Sequence, residues 1–520
     1  MNKYVSFVWV VSFLFVFASC VAIPDGPEPD DLPNDDLDVQ PHDPFSLRGD
    51  PNFDPLLLSD EARLWYDRVW MALENERTRE YYEDRAGRDD LYTYGRSVNQ
   101  FLSTLIQAFR VTGDLRMVDE LDRYAQLMRA ELYDGGWFRV REGIEYRIPR
   151  DMRFDILDAS LSDNTLVVDG DLRPYFPSGT VRRFIVQTGP NHGFYSVRSL
   201  SYDSSSDRST IEVRGRPGHD VQADAGGGFI ADWEENGYLN WRWSRGNGQY
   251  TDGDYHVMDE LMTHGLVAAI ARVFHENRDL PSPGGVDYAE RADFWLEYLK
   301  NHHEPKWRER NFKGPDEVDV LTRSLSHPFA QGIRYHVHLA AITGNPAHQD
   351  YALELIEILR GEQTAVETSI GTAYVWPHGV VGIGSGNDYL QGTTYMRYDI
   401  VSRVDLRLED YLDDSHLRRV ARTLIAFVFD GNPDGADRPY AGTIGGDQSV
   451  GGVPHRDGWR SRVTATRMAT SGYAHLLPWD VAGGLEEEFL MLLESEDNPE
   501  NPRHTAIPTG MLMRAILGPR

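Results

Sequence analysis

Hydrophobic periodicity changes twice along this chain, and that change limits the available folds more than any short motif does. From Ser59 to Leu132 apolar residues recur at three and four: Ala62, Leu64, Trp65, Val69 and Leu73, then Leu102, Leu105, Ile106 and Phe109, then Leu121, Tyr124, Leu127 and Met128. Such spacing predicts amphipathic helices joined by short turns. At about Ile156 the pattern switches to alternation, in Thr165 to Val168, Arg183 to Val186, Phe194 to Val197 and Thr210 to Val213, between Gly, Pro, Asp and Ser turns. Helical spacing resumes at His256 to Glu276, Tyr288 to His302, Phe329 to Thr343, Gln349 to Arg360, Tyr398 to Leu412, Leu417 to Phe429 and Arg462 to Leu476. The helix pairs lack the fixed-length self-similarity of a solenoid. The expected fold is mainly α, an (α/α) toroid or incomplete barrel of helical hairpins with a small inserted β-module. The module spans 156–222 and divides the toroid into a first part, 51–155, and a catalytic part, 223–520. Its acid–base candidates are His192 and His219 alone, so it is expected to be an accessory.

The first residues read as an export signal, with Lys3 in the positive region and Val5 to Ala18 as an apolar stretch too short to span a bilayer comfortably. Cys20, the only cysteine, follows Phe17-Ala18-Ser19 and resembles the acylated cysteine of a bacterial lipobox, with Phe17 where Leu is commoner. The alternative is an ordinary signal peptide with a chance cysteine. The resemblance implies a lipoprotein signal at 1–20, lipidation of Cys20, and a chain anchored in a bacterial cell envelope with the membrane as a partner. Residues 21–50, rich in Pro and Asp, are expected to be a disordered tether, with folded structure starting near Pro51. One cysteine permits neither an intrachain disulfide nor a cysteine-based metal site. With 52 basic and 82 acidic residues, a net charge of −30 opposes nucleic-acid binding.

Histidines concentrate where the chemistry is expected. Nine of the 17, His256, His264, His275, His302, His303, His327, His336, His338 and His348, fall in one stretch of the chain, with Lys306, Arg308, Arg310, Lys313, Arg323 and Arg334 among them. This basic island suits a polyanionic ligand despite the acidic whole. Taken singly, most such histidines are satisfied surface or core residues; the clustering is what carries information.

Two stretches stand out, Met262-Thr263-His264-Gly265-Leu266-Val267 and Gln331-Gly332-Ile333-Arg334-Tyr335-His336-Val337-His338. The first resembles the Asn-Asn-His helix of toroidal alginate lyases, and the second their Tyr-His segment. The resemblance implies a polysaccharide lyase with His264 and Tyr335 as the acid–base pair, and Thr263 and His336 beside them for substrate. Thr263 stands where that family has the Asn that neutralises the substrate carboxylate. The family's Arg falls near His327, so that role passes to His327, Arg334 or Arg397. Cleaving a uronic-acid polymer such as alginate, glucuronan or a glycosaminoglycan by β-elimination needs carboxylate neutralisation, a base at C5 and an acid at O4. No cofactor or metal is demanded.

Trp376-Pro377-His378 and the stretch from Asn387 to Tyr398 supply His378, Tyr389, Gln391, Tyr395 and Arg397, residue types that stack on and hydrogen-bond sugars, or that pack a long loop. Trp241 and Trp243 are a second sugar platform or core. Asp430 to Asp437 begins like a calcium loop but has Arg438 at position nine and Ala441 at position twelve, which favours an Asx-rich turn. P-loop, dinucleotide and serine-hydrolase signatures are missing; Gly382 to Gly386 is glycine-rich without the strand-to-helix context. Two rival functions remain: a glycoside hydrolase on the same toroid using two of Asp252, Asp254, Asp259 and Glu260, and a noncatalytic glycan-binding lipoprotein.

Overall fold

Two kinds of helix alternate along the chain. The computed structural model describes residues 42–134, 154–160, 162–175, 182–186, 191, 193–214, 229–231, 239–244, 250–252, 257–305, 325–380, 387–429, 439–457, 461–495 and 505–520. Over these the protein is mainly helical, with one small antiparallel β-barrel. The first kind of helix is amphipathic: α1 (Asp60–Glu74) buries Ala62, Trp65, Tyr66, Val69 and Leu73, and its start is capped by the Ser59 hydroxyl on the Ala62 amide. Of this kind also are α2 (Glu76–Ala86) and α4 (Leu115–Ala130). The second kind is buried all round, as in α3 (Asn99–Thr112), where every residue is interior, including Asn99, Gln100, Gln107 and Arg110.

The pattern then repeats. Buried α5 (Val257–Glu276), α7 (Ser326–Thr343) and α9 (Thr393–Leu408) alternate with α6 (Tyr288–Tyr298), α8 (Pro346–Gly361) and α10 (Asp414–Thr423). A buried 3₁₀ run, Gly472–Trp479, precedes α11 (Gly484–Ser495) and the largely buried α12 (Ala506–Leu517). Each buried segment packs on the next: α3 on α5, α5 on α7, α7 on α9, α9 on Gly472–Trp479, that run on α12, and α12 on α3 again. Two glycines permit the closest approaches. A Cβ at Gly265 would stand 2.7 Å from the Gln331 carbonyl oxygen, and one at Gly510 would strike the Ala474 carbonyl.

The β-module is a closed antiparallel barrel of β1 (Phe154–Ser160), β2 (Thr165–Asp169), β3 (Arg182–Val186), β4 (Gly193–Asp203), β5 (Arg208–Arg214) and β6 (Phe229–Ala231), in the order β1-β2-β5-β4-β3-β6. Ile156, Leu166, Val168, Leu172, Val197, Ile211 and Val213 fill a core of its own. The module reaches past residue 222 because β6 closes the barrel between β1 and β3, and three residues are too few to show alternation. Its entry and exit are joined: Tyr133 pairs with Asn240 and Asp134 with Leu239.

At the N-terminus the folded chain begins earlier than Pro51. Leu47 is buried, His42 Nε2 lies 2.7 Å from the Arg110 carbonyl, Arg48 holds Asp279, and the Asp50 amide donates to the Gly113 carbonyl. Residues 42–50 therefore belong to the folded body and not to a tether. Cys20 and the stretch from Asp430 to Asp437 lie outside the described residues. No described helix is long and apolar enough to cross a membrane.

An ion network ties the buried segments together. Asp405 of α9 is paired with Arg334 of α7 at 2.5 Å, hydrogen-bonded by Gln107 of α3, and faced by His338 at 3.5 Å and Arg110 at 3.9 Å. Arg110 and Arg272 of α5 both hold Glu409, at 2.9 and 2.7 Å. Burial alone would raise the Asp405 pKa, but Arg334, His338 and Arg110 together keep it below the usual carboxylate range. Removing its charge leaves the buried Arg334 guanidinium without its carboxylate. Asp405→Asn is therefore expected to lower the unfolding free energy in chemical denaturation by about 3–5 kcal/mol, against about 0–1 kcal/mol for loss of the exposed Glu357–Arg360 pair.

Candidate active site

Four helical segments converge on one buried carboxylate. Glu260 and His264 lie one turn apart on α5, and His264 Nδ1 is 3.0 Å from Glu260 Oε2 and 2.8 Å from the Glu260 main-chain oxygen. His303 Nε2 lies 3.4 Å from the same Oε2, and its ring is stacked on that of His264, 3.5 Å between centroids and 13° between planes. Each ring turns its other nitrogen to a phenol: His264 Nε2 is 2.8 Å from the Tyr298 hydroxyl, and His303 Nδ1 is 3.2 Å from the Tyr335 hydroxyl. All five side chains are buried. Trp241 packs against both His264 and Tyr298 and donates its indole N–H to the Met128 carbonyl at 2.9 Å.

A local departure from α geometry delivers His303. After α6 the chain makes a π-turn, Leu299–His303. One extra residue per turn rotates the rest of the segment by about 100° relative to an unbroken α-helix. His303 thereby faces Glu260, while His302 Nδ1 accepts the Leu239 amide at 3.2 Å. A second π-turn, Tyr94–Val98, carries Arg96, which pairs with buried Asp259 at 3.1 Å. Burial opposes that arginine's charge, yet Asp259, with Tyr398, Tyr92 and Tyr395, holds its pKa above the ordinary value.

Glu260, His264 and His303 bring a carboxylate oxygen and two ring nitrogens within 4.8 Å of one another, spacing that a metal ion would tolerate. Orientation decides against it. An ion about 2.0–2.1 Å from both nitrogens would sit midway between stacked rings, more than about 50° off their in-plane lone pairs. In addition, His264 Nδ1 faces a carbonyl that can only accept, so that nitrogen carries a proton. The same carboxylate oxygen lies within ion-pair distance of both rings, at 3.0 and 3.4 Å.

The other sequence candidates form a second group at the start of α7. His327 stacks on Tyr395 at 4.4 Å and faces His378 at 5.6 Å, and His378 stacks on Tyr389. Gln391 accepts from or donates to four neighbours: His378 Nδ1 at 2.6 Å, Ser326 Oγ at 2.8 Å, Asp399 Oδ2 at 2.8 Å, and the Gly392 amide. Arg397, half-buried like Tyr395, reaches Ser471 and the Tyr398 hydroxyl. Burial pushes the Asp399 pKa up to about 6, partly offset by Arg403 and Gln391.

Several expected site residues stand elsewhere. Arg334 is committed to Asp405 and Ser103 in the interior. Thr263 is buried against the Leu91 carbonyl. His336, one residue past Tyr335, faces α8, where its Nδ1 is 3.0 Å from His348 Nδ1 and burial holds its pKa well below the ordinary histidine value. Trp241 is core, and the Trp243 side chain lies outside the described residues. Asp259 and Glu260 are successive residues with different partners, Arg96 and the histidine pair, so they do not face each other across a bond as a hydrolase pair must. The sequence offers His303 only as one of nine clustered histidines, because a π-turn leaves no periodicity signal to single it out, and it does not point to Arg96, which precedes the histidine-rich stretch. Comparison with protein-family models, curated proteins and solved structures found no match to this chain.

Asp399 offers a test of the second group. A carboxyl whose pKa is raised on folding stabilises the fold while protonated, and that contribution is lost as pH climbs from about 4 through 6. Relative to Asp399→Asn, the native protein is expected to lose up to about 3 kcal/mol of unfolding free energy between pH 4 and pH 7. Denaturation curves for both proteins across that range check this; a gain with rising pH would contradict it.

Proposed function

We propose that this protein is an (α/α) toroidal polysaccharide lyase that cleaves a uronate-containing polymer by β-elimination, with Tyr335 as the group that moves the proton. The observation that carries the reading is the Tyr335 hydroxyl 3.2 Å from His303 Nδ1, in a cluster that also contains His264. A phenol beside an imidazole is the donor–acceptor pair that elimination next to a carboxylate needs. The cyclic order of buried segments, with α12 returning to α3, supports the toroid.

In the proposed reaction Tyr335, deprotonated by His303, takes the C5 proton. The C5–H electrons form the C4=C5 bond as the C4–O4 bond breaks, and O4 takes a proton from Tyr335. The imidazolium then returns its proton to the phenolate, so no net charge remains on the protein. Arg96, held on the residue preceding Glu260, is the cation we assign to the substrate carboxylate. His327 begins α7 eight residues before Tyr335, about 12 Å along the axis, too far to serve the same sugar. His327, His378, Tyr389, Tyr395 and Arg397 instead suit a neighbouring sugar of the polymer, by stacking and hydrogen bonds.

The test is ultraviolet detection of unsaturated uronate product across a panel of uronate polymers. Tyr335→Phe is expected to lower kcat by about 10²–10⁴ with KM little changed, since the ring stays and only the hydroxyl goes. Full activity in that variant, or binding without product for every polymer, would end the lyase reading, the latter in favour of a noncatalytic glycan-binding protein. We also propose envelope anchoring through Cys20: Cys20→Ser is expected to move the protein from the membrane fraction to the soluble fraction with its activity unaltered.

A further inference from the structure

The stacked histidines do not play equivalent parts, and their hydrogen-bond partners say which proton sits where. His264 Nδ1 lies 2.8 Å from the Glu260 main-chain oxygen, which can only accept. His264 is therefore protonated on Nδ1, and its Nε2 accepts the Tyr298 hydroxyl proton. His303 turns Nε2 toward Glu260 Oε2 at 3.4 Å and Nδ1 toward the Tyr335 hydroxyl. A carboxyl oxygen near Nε2 and a phenol that can donate to Nδ1 favour the tautomer with the proton on Nε2 and the lone pair of Nδ1 toward the phenol. The main-chain oxygen and the side-chain carboxyl of Glu260 thus face the two stacked imidazoles at different nitrogens, Nδ1 of His264 and Nε2 of His303.

We propose that Glu260, His303 and Tyr335 form a proton relay in which Glu260 holds His303 in the tautomer that accepts the Tyr335 proton. The inference rests on the lyase reading for its reaction but not for its geometry. When the Tyr335 O–H bond breaks, its proton forms an N–H bond at His303 Nδ1, leaving a phenolate and an imidazolium whose positive charge faces Glu260. No further reactant is required for that step. Tyr335 is the catalytic residue; Glu260 and His303 are positioning residues acting through it. Among the described residues, Glu260 and His264 from α5 and Tyr335 from α7 face His303. His264 serves a different phenol: its accepting nitrogen is directed at Tyr298, which packs against Trp241 and Trp295.

The experiment is long-range ¹H–¹⁵N NMR on the full chain labelled at histidine nitrogens, with His303 and His264 assigned by His303→Gln and His264→Gln. The expected result is a protonated Nε2 and an unprotonated Nδ1 for His303, and the reverse for His264. A proton on His303 Nδ1 in the resting protein, or displacement of both signals by stoichiometric zinc, would overturn the relay. The tautomers are read without substrate, so they stand or fall whether or not a uronate polymer is cleaved. Where cleavage is found, Glu260→Gln, nearly isosteric, is expected to lower kcat by about 10²–10⁴ while KM stays within a few-fold, as for the carboxylate behind a catalytic histidine. Undiminished kcat in Glu260→Gln, with lyase activity intact, would overturn the relay and leave the lyase standing.

Discussion

A single buried carboxylate, Asp405, sets the register of the helices around it. A charge in that position is tolerable only with cations and donors close by, and they come from different parts of the chain: Gln107 and Arg110 from α3, Arg334 and His338 from α7. Burial drives the nearby His475 pKa down to about 4, so that histidine adds no competing charge near neutrality. Hydrophobic contact alone would let these helices slide or rotate with little penalty. The ion network does not, because moving any one of them by a residue would strand a charge in the interior.

The consequence for the candidate site runs through three successive residues. Arg334, Tyr335 and His336 point about 100° apart around α7, and each meets a different neighbour: Asp405 on α9, His303 after α6, and His348 on α8. Fixing the first fixes the other two. The phenol is aimed at its imidazole by a salt bridge on another side of the helix, and Gly265 lets α5 lie close enough to bring Glu260 and His264 to the same place.

Much of this fold is legible in the sequence. The amphipathic helices follow from three-and-four spacing, as in Ala62 to Leu73, and the inserted barrel from alternation between Thr165 and Val213. Helices buried on all sides carry no polar stripe to read, so their interior polar residues look like site residues. Arg334 reads as catalytic for that reason, although its neighbours make it structural. His264 and Tyr335 do belong to one cluster, but the residues linking them, Glu260 and His303, depend on a π-turn and on which helices adjoin. Neither is written in local spacing.

The paired strands Tyr133–Asp134 and Leu239–Asn240 bring the two ends of the barrel insertion side by side. An insertion with adjoining ends makes a small demand on its host: the helical body needs only a short bridge across the same gap. The barrel is thus a cassette that evolution, or a protein engineer, can exchange for a different module without re-threading the helices. The junction is not inert, however. Leu239 contacts His302 and is followed at one remove by Trp241, which rests against His264. Whatever module occupies that position is wired by two residues of backbone to the floor of the histidine cluster, so a cargo bound there has a short mechanical path to it.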